Sequence, residues 1–172
     1  MKVGLFSIVM FLLFLLEGTV VQALVPEAWG LPWTVVPRFV LIGIVFAGLY
    51  AGRRKALYFG LFFGLLYDIV YTDIIGVYAF SMGITGYLAA LSSQYFHQNW
   101  LLVFINVILV IFCNEWLTYG LYHLFHIAAV DVGNLMVYQI LPTVLFNALF
   151  ALFIFRPMSK LLEGADGEKK IA

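Results

Sequence analysis

The chain has 172 residues, of which 65% are hydrophobic and 10% are charged, and its nine basic and nine acidic side chains give no net charge. An ordinary soluble domain carries roughly 25% charged residues, because polar groups must cover the surface that folding leaves exposed. The composition therefore excludes a soluble fold, and the lack of a long basic run argues against nucleic acid as a partner. The lipid bilayer is the expected solvent.

Six hydrophobic windows, separated by polar or proline-bearing breaks, predict an all-α polytopic membrane protein with six transmembrane helices, since about 20 helical residues cross the hydrocarbon core. We expect a single transmembrane domain, residues 1–157, and a short cytoplasmic tail, residues 158–172. A re-entrant element at 71–76 is an alternative to a simple break there. The windows cover residues 4–25, 35–52, 56–71, 75–95, 100–122 and 135–156.

The first window also has features of a secretory signal peptide, because Lys2 precedes an apolar run that ends near the small residue Ala23. Glu17 and Gly18 interrupt that run, and five further apolar windows follow it. We therefore interpret this window as the first transmembrane helix.

The basic residues predict the orientation, because they accumulate in short cytoplasmic loops. With the N-terminus inside, every basic residue except Arg38 falls on the cytoplasmic side. Both termini are therefore predicted to be cytoplasmic. The cytoplasmic set is Lys2, Arg53, Arg54, Lys55, Arg156, Lys160, Lys169 and Lys170.

The fourth window carries six small residues at steps of three and four, which places them on one face of a helix. Helices in lipid associate by close packing, so such a face is typical of a tight helix contact. It would either hold the bundle of this chain together or dock a partner. The residues are Gly76, Ala79, Gly83, Gly86, Ala90 and Ser93.

Four ionisable residues fall within the spans, where a charge costs on the order of 2.5 to 3.5 kcal/mol at the helix centre. Glu17, Asp68 and Glu115 lie roughly 18 to 22 Å from the cytoplasmic ends of their helices, and Arg38 enters from the outer side. We predict that these four residues form a polar cluster in the outer half of the bilayer. Its excess of acid over base favours either a partner or substrate site or an internal structural lock.

Pro142 interrupts the sixth window, frees a backbone carbonyl near Tyr138, and predicts a kink there. Asn147, five residues later, is a candidate interhelical hydrogen-bonding residue. His123 and His126 have a spacing that could ligate a metal, but polar boundary residues are the simpler interpretation. We predict no metal site and no cofactor.

Signatures of catalysis are missing, since the chain has no phosphate-binding loop, nucleophile elbow or zinc-protease motif. An intramembrane enzyme that uses Asp68 and Glu115 as general acid and base is the weaker alternative. We predict that the protein is not an enzyme and has no catalytic residues.

Several segments carry a resemblance to a known family. The stretch Gly64–Tyr78, GLLYDIVYTDIIGVY, resembles the central signature of the bacterial rod shape-determining protein MreD family. The segments Val36–Phe39 (VPRF) and Pro142–Asn147 (PTVLFN), together with Glu115, are similar to the corresponding parts of its Gram-positive members. The order of these segments, the length and the six windows agree across essentially the whole chain.

The resemblance implies a non-catalytic scaffold or regulator of lateral peptidoglycan elongation in the bacterial cytoplasmic membrane. It implies MreC as the first partner, with MreB, RodA and the partner transpeptidase of RodA in the same machinery. The six-span pattern is also similar to the substrate-binding subunits of energy-coupling-factor vitamin transporters. A transport subunit is therefore the alternative function, and it requires a ligand-sized cavity that opens outward.

Overall fold

The computed structural model describes residues 3–21, 30, 33–92, 100–126 and 132–163. All regular elements within these ranges are helical, and this confirms the all-α prediction. Six helices follow one another within the described ranges. They are α1 (Val3–Leu16, continued by a π-helical turn, Glu17–Val21), α2 (Phe39–Ala51), α3 (Arg53–Tyr71), α4 (Val77–Ala89, followed by a 3₁₀ turn, Ala90–Ser92), α5 (Trp100–Leu124) and α6 (Val132–Leu135, continued by a π-helical turn, Met136–Ile140, and by Leu141–Glu163).

Helix α2 lies at the centre of the bundle. Every residue from Phe39 to Leu49 is buried, as expected for a helix that is apolar on all sides and packed within a larger structure. Helices α1, α3, α4, α5 and α6 surround it. Their outward faces expose large apolar side chains, such as Ile8, Leu109 and Phe153, which suits a bilayer solvent.

Two helical segments, Trp100–Leu124 and Val132–Leu162, are by themselves long and apolar enough to cross a membrane. The apolar helix α2 is shorter, and its 13 residues rise only about 20 Å. Residues 33–38, which precede it, are not helical, and six extended residues span roughly another 20 Å. The second window therefore combines a short extended segment, residues 35–38, with the helix Phe39–Ala51.

The start of α2 differs from the predicted window, which begins at residue 35, by four residues. Pro37 explains the difference, because a proline disfavours helical geometry at the residue before it. Helix α6 likewise extends beyond the predicted end at residue 156, through Pro157 to Glu163. Met158 and Leu162 are buried in the core, so the first part of the predicted tail, residues 158–163, packs as helix. The rest of the tail lies outside the described residues.

Helices α3 and α4 pack closely because each presents glycine to the other. A Cβ atom on Gly60 would lie 2.5 Å from the Met82 carbonyl oxygen and 2.8 Å from the Gly83 Cα. A Cβ atom on Gly64 would lie 2.6 Å from the Ala79 Cα. Real Cβ atoms do not make such contacts, so the two backbones touch only because both α3 positions are glycine.

The remaining part of the α4 small-residue face contacts α2. A Cβ atom on Gly86 would lie 2.5 Å from the Ile44 Cγ2, and one on Gly48 would lie 2.9 Å from the Ala90 Cβ. The structure thus places this face against helices of the same chain. Ser93 lies outside the described residues, and a role of this face in binding a partner stays a prediction.

Candidate functional site

Arg38, the residue before α2, pairs with Glu115 in the middle of α5. The Arg38 Nε donates to the Glu115 Oε1 at 2.6 Å, and both side chains are buried. The Arg38 Nη2 lies 3.4 Å from the Tyr78 hydroxyl, and the guanidinium carbon lies 5.1 Å from the centroid of that ring. A charge-assisted hydrogen bond and a cation–π contact therefore connect the entrance of α2 to α5 and α4.

Glu17 lies in the π-helical turn that ends α1, and it faces the N-terminus of α2. Its Oε2 accepts from the backbone N–H of Val40 at 3.2 Å. The first N–H groups of a helix lack internal partners and attract negative charge, so this carboxylate stabilises the start of α2. Arg38 and the buried Tyr67 hydroxyl are both within electrostatic reach of Glu17.

Asp68 is fully buried near the end of α3 and is directed at the start of α4 rather than at Arg38. Its two oxygens accept from the backbone N–H groups of Gly76 (2.8 Å), Tyr78 (2.8 Å) and Ala79 (3.0 Å). It therefore caps the next helix across the turn at residues 72–76. Gly76 permits this turn because its φ of 113° lies in the left-handed region.

The extended segment before α2 is bonded to α6 through two polar side chains. Asn147 accepts from the Arg38 backbone N–H at 2.7 Å and donates to the Val36 carbonyl at 2.8 Å. The Thr143 hydroxyl accepts from the Val36 N–H at 3.0 Å. Non-helical backbone is tolerated at membrane depth only where such partners satisfy it, so Asn147 and Thr143 allow this segment to be buried.

Pro142 leaves a backbone carbonyl of α6 free, and this carbonyl is a further hydrogen-bond partner of the same extended segment. A proline cannot donate to the carbonyl four residues earlier, which here belongs to Tyr138. The structure places a π-helical turn, Met136–Ile140, that ends two residues before Pro142, and the Tyr138 carbonyl accepts from the Thr34 N–H at 2.8 Å. The irregularity in α6 thus exposes a backbone acceptor to the extended segment.

A cavity of about 110 Å³ lies among these polar groups. It is bounded by the end of α1, the extended segment, α3 and α4. The structure thus brings Glu17 and Arg38 to one cavity, whereas Glu115 lies behind Arg38 and Asp68 is engaged by α4. The polar and aromatic lining comprises Glu17, Arg38, Tyr67, Tyr71, Thr72 and Tyr78.

Sequence reasoning identified Asn114 as a candidate for interhelical hydrogen bonds but missed the hydroxyl residues Ser81, Thr85 and Thr118 that connect α4 to α5. The Thr85 hydroxyl lies 3.2 Å from the Asn114 Oδ1, and the Thr118 hydroxyl lies 3.4 Å from that of Ser81. The spacing of Ser81 and Thr85, four residues apart on an otherwise apolar helix, is the signal that could have predicted this contact. These bonds fix how α5 lies on α4 and thereby position Glu115.

The arrangement orients helix ends. Glu17 links α1 to the start of α2, Asp68 links α3 to the start of α4, and Glu115 links α5 to Arg38 at the entrance of α2. His123 stacks on Tyr119 with ring centroids 5.9 Å apart. Among the residues placed by the structure, no three potential ligands group together as a metal site would require.

These features define an all-α membrane protein, in which an ion pair and capped helix ends lie inside a helical bundle. Residues 3–164 match the family described as rod shape-determining protein MreD. The chain belongs to the MreD family and has a role in rod shape determination. It is 27% identical over 123 residues to the rod shape-determining protein MreD of Bacillus subtilis (strain 168), which covers 72% of each chain. No solved structure matches it.

Proposed function

We propose that this protein is a non-catalytic scaffold of the machinery for lateral peptidoglycan elongation, and that it docks the membrane-spanning segment of MreC. MreB, RodA and the partner transpeptidase of RodA are the further proposed components. The family match over residues 3–164 carries the proposal. The buried polar groups support it, because they stabilise helix positions, as a scaffold needs.

We also propose that the chain is a multi-pass protein of the bacterial cytoplasmic membrane, with a single transmembrane domain and both termini in the cytoplasm. Helices α2 and α6 run in parallel, since Phe39 stacks on Phe150 at 3.6 Å and Phe46 lies 5.8 Å from Phe155. Their C-terminal ends, with the basic residues 53–55 and 156–160, therefore lie on one side. The positive-inside rule makes that side cytoplasmic.

Cysteine labelling tests this orientation. Cys113 is the only cysteine, so Cys113→Ser provides a background in which single cysteines at the exposed positions Lys55 and Asp73 can be compared. In intact cells stripped of their wall, a membrane-impermeant maleimide should label Asp73→Cys and not Lys55→Cys. The reverse pattern would contradict the proposed orientation.

The docking surface that we propose for MreC is an apolar groove of about 650 Å³ between α5 and α6 at their inner halves. The small residue Ala151 is part of its wall, which lets a helix approach closely. The small-residue face of α4, in contrast, packs against α2 and α3. The groove is lined by Phe46, Trp100, Val103, Phe104, Val107, Ala151, Leu152, Phe153, Phe155 and Arg156.

Co-purification tests the scaffold function and the surface together. A tagged chain, extracted from its native cell in mild detergent, should retain MreC. The variant Ala151→Phe, which fills the groove, should lose most of the MreC, whereas Leu149→Phe on the lipid-exposed side of α6 should retain it. Equal recovery with both variants would exclude the groove, and absence of MreC from the unmodified protein would contradict the scaffold function.

The excess of acid near the outer surface favours a second candidate, the substrate-binding subunit of an energy-coupling-factor transporter. The cavity that is lined by Glu17 and Arg38, called the outer cavity from here on, argues against this candidate by its size. Its volume of about 110 Å³ is well below the roughly 300 to 1,000 Å³ of ordinary small-molecule sites. Recovery of a coupled ATPase module in place of MreC would support this candidate.

A further inference from the structure

The space inside the outer cavity has no role in the proposed scaffold function. Its wall contains the Glu17 carboxylate and the side chains of Tyr67, Tyr71 and Tyr78. Its volume of about 110 Å³ is well below the roughly 300 to 1,000 Å³ of ordinary small-molecule sites. A chemical group of a few heavy atoms fits there, but a vitamin or a peptide does not.

The acidic side chains around the cavity outnumber the basic ones. The Arg38 guanidinium reaches it, but its Nε is bonded to Glu115 at 2.6 Å. Two carboxylates, Glu17 and Glu115, therefore share one guanidinium, while Asp68 next to them binds only backbone N–H groups. An uncompensated carboxylate away from bulk water is costly, so a cation in the cavity would be stabilised.

The Tyr67 hydroxyl is a second and independent indication of a ligand. Among the residues that the structure describes, this buried oxygen has no hydrogen-bond partner, although it lies close to Glu17. A buried hydroxyl without a partner costs free energy, and most such groups in proteins are satisfied. A ligand with an N–H group could donate to both the hydroxyl and the carboxylate.

The aromatic rings select the kind of cation. The Tyr67 centroid lies 5.4 Å from that of Tyr71 and 5.8 Å from that of Tyr78, and these three neighbouring tyrosines line the cavity together with Glu17. Aromatic rings attract organic ammonium groups through cation–π interactions. A calcium ion would need six to eight oxygen ligands, more than the one carboxylate and the hydroxyls supply.

We propose that this cavity binds a primary alkylammonium group, with Glu17 as its counter-ion, the Tyr67 hydroxyl as its acceptor and the tyrosine rings as its wall. The group would come from a small soluble amine or from the headgroup of an aminophospholipid in the outer leaflet. This inference goes beyond the scaffold function and does not rest on it.

The test uses the full chain in nanodiscs of phosphatidylglycerol and ethylammonium chloride as the probe. Saturation-transfer NMR of the probe should show saturable binding. Glu17→Gln keeps the shape and removes the charge, and it should weaken binding by about tenfold or more, because a bond to a charged group is lost. Tyr67→Phe keeps the ring and should weaken binding less. Asp73→Asn, an exposed acid of the adjacent turn, is the matched control and should have no effect.

Thermal unfolding shows whether each variant is folded. If Glu17→Gln does not fold, the binding of the probe to Tyr67→Phe decides whether the proposal holds. Adding phosphatidylethanolamine to the nanodiscs identifies the source: competition with the probe assigns the site to a lipid headgroup, and no competition assigns it to a soluble amine. Lack of saturable binding by the unmodified protein would overturn the proposal. Equal binding by the unmodified protein and the decisive variant would also overturn the proposal, because the probe would then bind outside the cavity.

Discussion

The guanidinium of Arg38 and the carboxylate of Glu115, separated by 77 positions in sequence, form a buried ion pair at 2.6 Å. The pair lies where the extended segment enters α2, and it holds that entrance against the middle of α5. A buried pair recovers its desolvation cost only when its geometry is good and its remaining groups are bonded. Here Tyr78 and Asn147 provide further contacts to Arg38.

Replacing one partner of the pair should lower the free energy of unfolding more than replacing both partners. Arg38→Met leaves Glu115 buried without its partner, so we expect the free energy of unfolding to fall by about 3 to 5 kcal/mol. The double variant Arg38→Met/Glu115→Met removes both charges and should recover most of that loss. Reversible unfolding in mixed micelles measures both values. Additive losses in the double variant would contradict a direct coupling of the two residues.

Asp68 should matter as a helix cap. Asp68→Ala leaves the N–H groups of Gly76, Tyr78 and Ala79 without their acceptor, and we expect a loss of about 1 to 2 kcal/mol in unfolding free energy. Hydrogen exchange of these three amides should accelerate. Asp73→Ala, in the same turn but exposed, should change neither value, and unchanged exchange in Asp68→Ala would show that the cap is unimportant.

The sequence predicts the all-α fold and the number of helices among the described residues, because these follow from hydropathy. It does not predict which partner each acid has. Helical rise predicts similar depths for Asp68 and Glu115, yet of these two acids only Glu115 binds Arg38. Asp68 is captured by the N–H groups that the turn at Gly76 brings towards it, and this geometry depends on a backbone angle that hydropathy does not contain.

The extended entrance to α2 is another feature that hydropathy hides. Residues 35–38 are part of an apolar window, and only Pro37 indicates that the helix begins later. The side chains of Thr143 and Asn147, which lie more than 100 positions away in sequence, bind the backbone of this segment and allow it to remain extended. The sequence identifies such distant partners as polar residues, but it does not show which backbone groups they bind.

Gly60 should be intolerant of any side chain. In Gly60→Ala the new Cβ would meet backbone atoms of Met82 and Gly83, which cannot move without separating α3 from α4. Overpacking of this kind costs about 1 to 3 kcal/mol. Gly120→Ala is the matched control, because nothing lies within 4 Å of its Cβ and alanine favours helix. A loss of unfolding free energy in Gly120→Ala as large as that in Gly60→Ala would contradict the close contact of α3 with α4.

Asn147 should be required for the extended segment to stay buried. Asn147→Leu has a similar size, but it leaves the Arg38 N–H and the Val36 carbonyl without partners, and each unsatisfied buried group costs about 1 to 3 kcal/mol. We expect the backbone amide of Arg38 to exchange faster and the unfolding free energy to fall by at least about 1 kcal/mol. Asn147→Asp keeps the acceptor for Arg38 and loses the donor to Val36, so it separates the two bonds: protection of the Arg38 amide should be retained while stability still falls. If Asn147→Leu left the exchange of that amide unchanged, the segment would owe its position to Thr143 and the Tyr138 carbonyl instead.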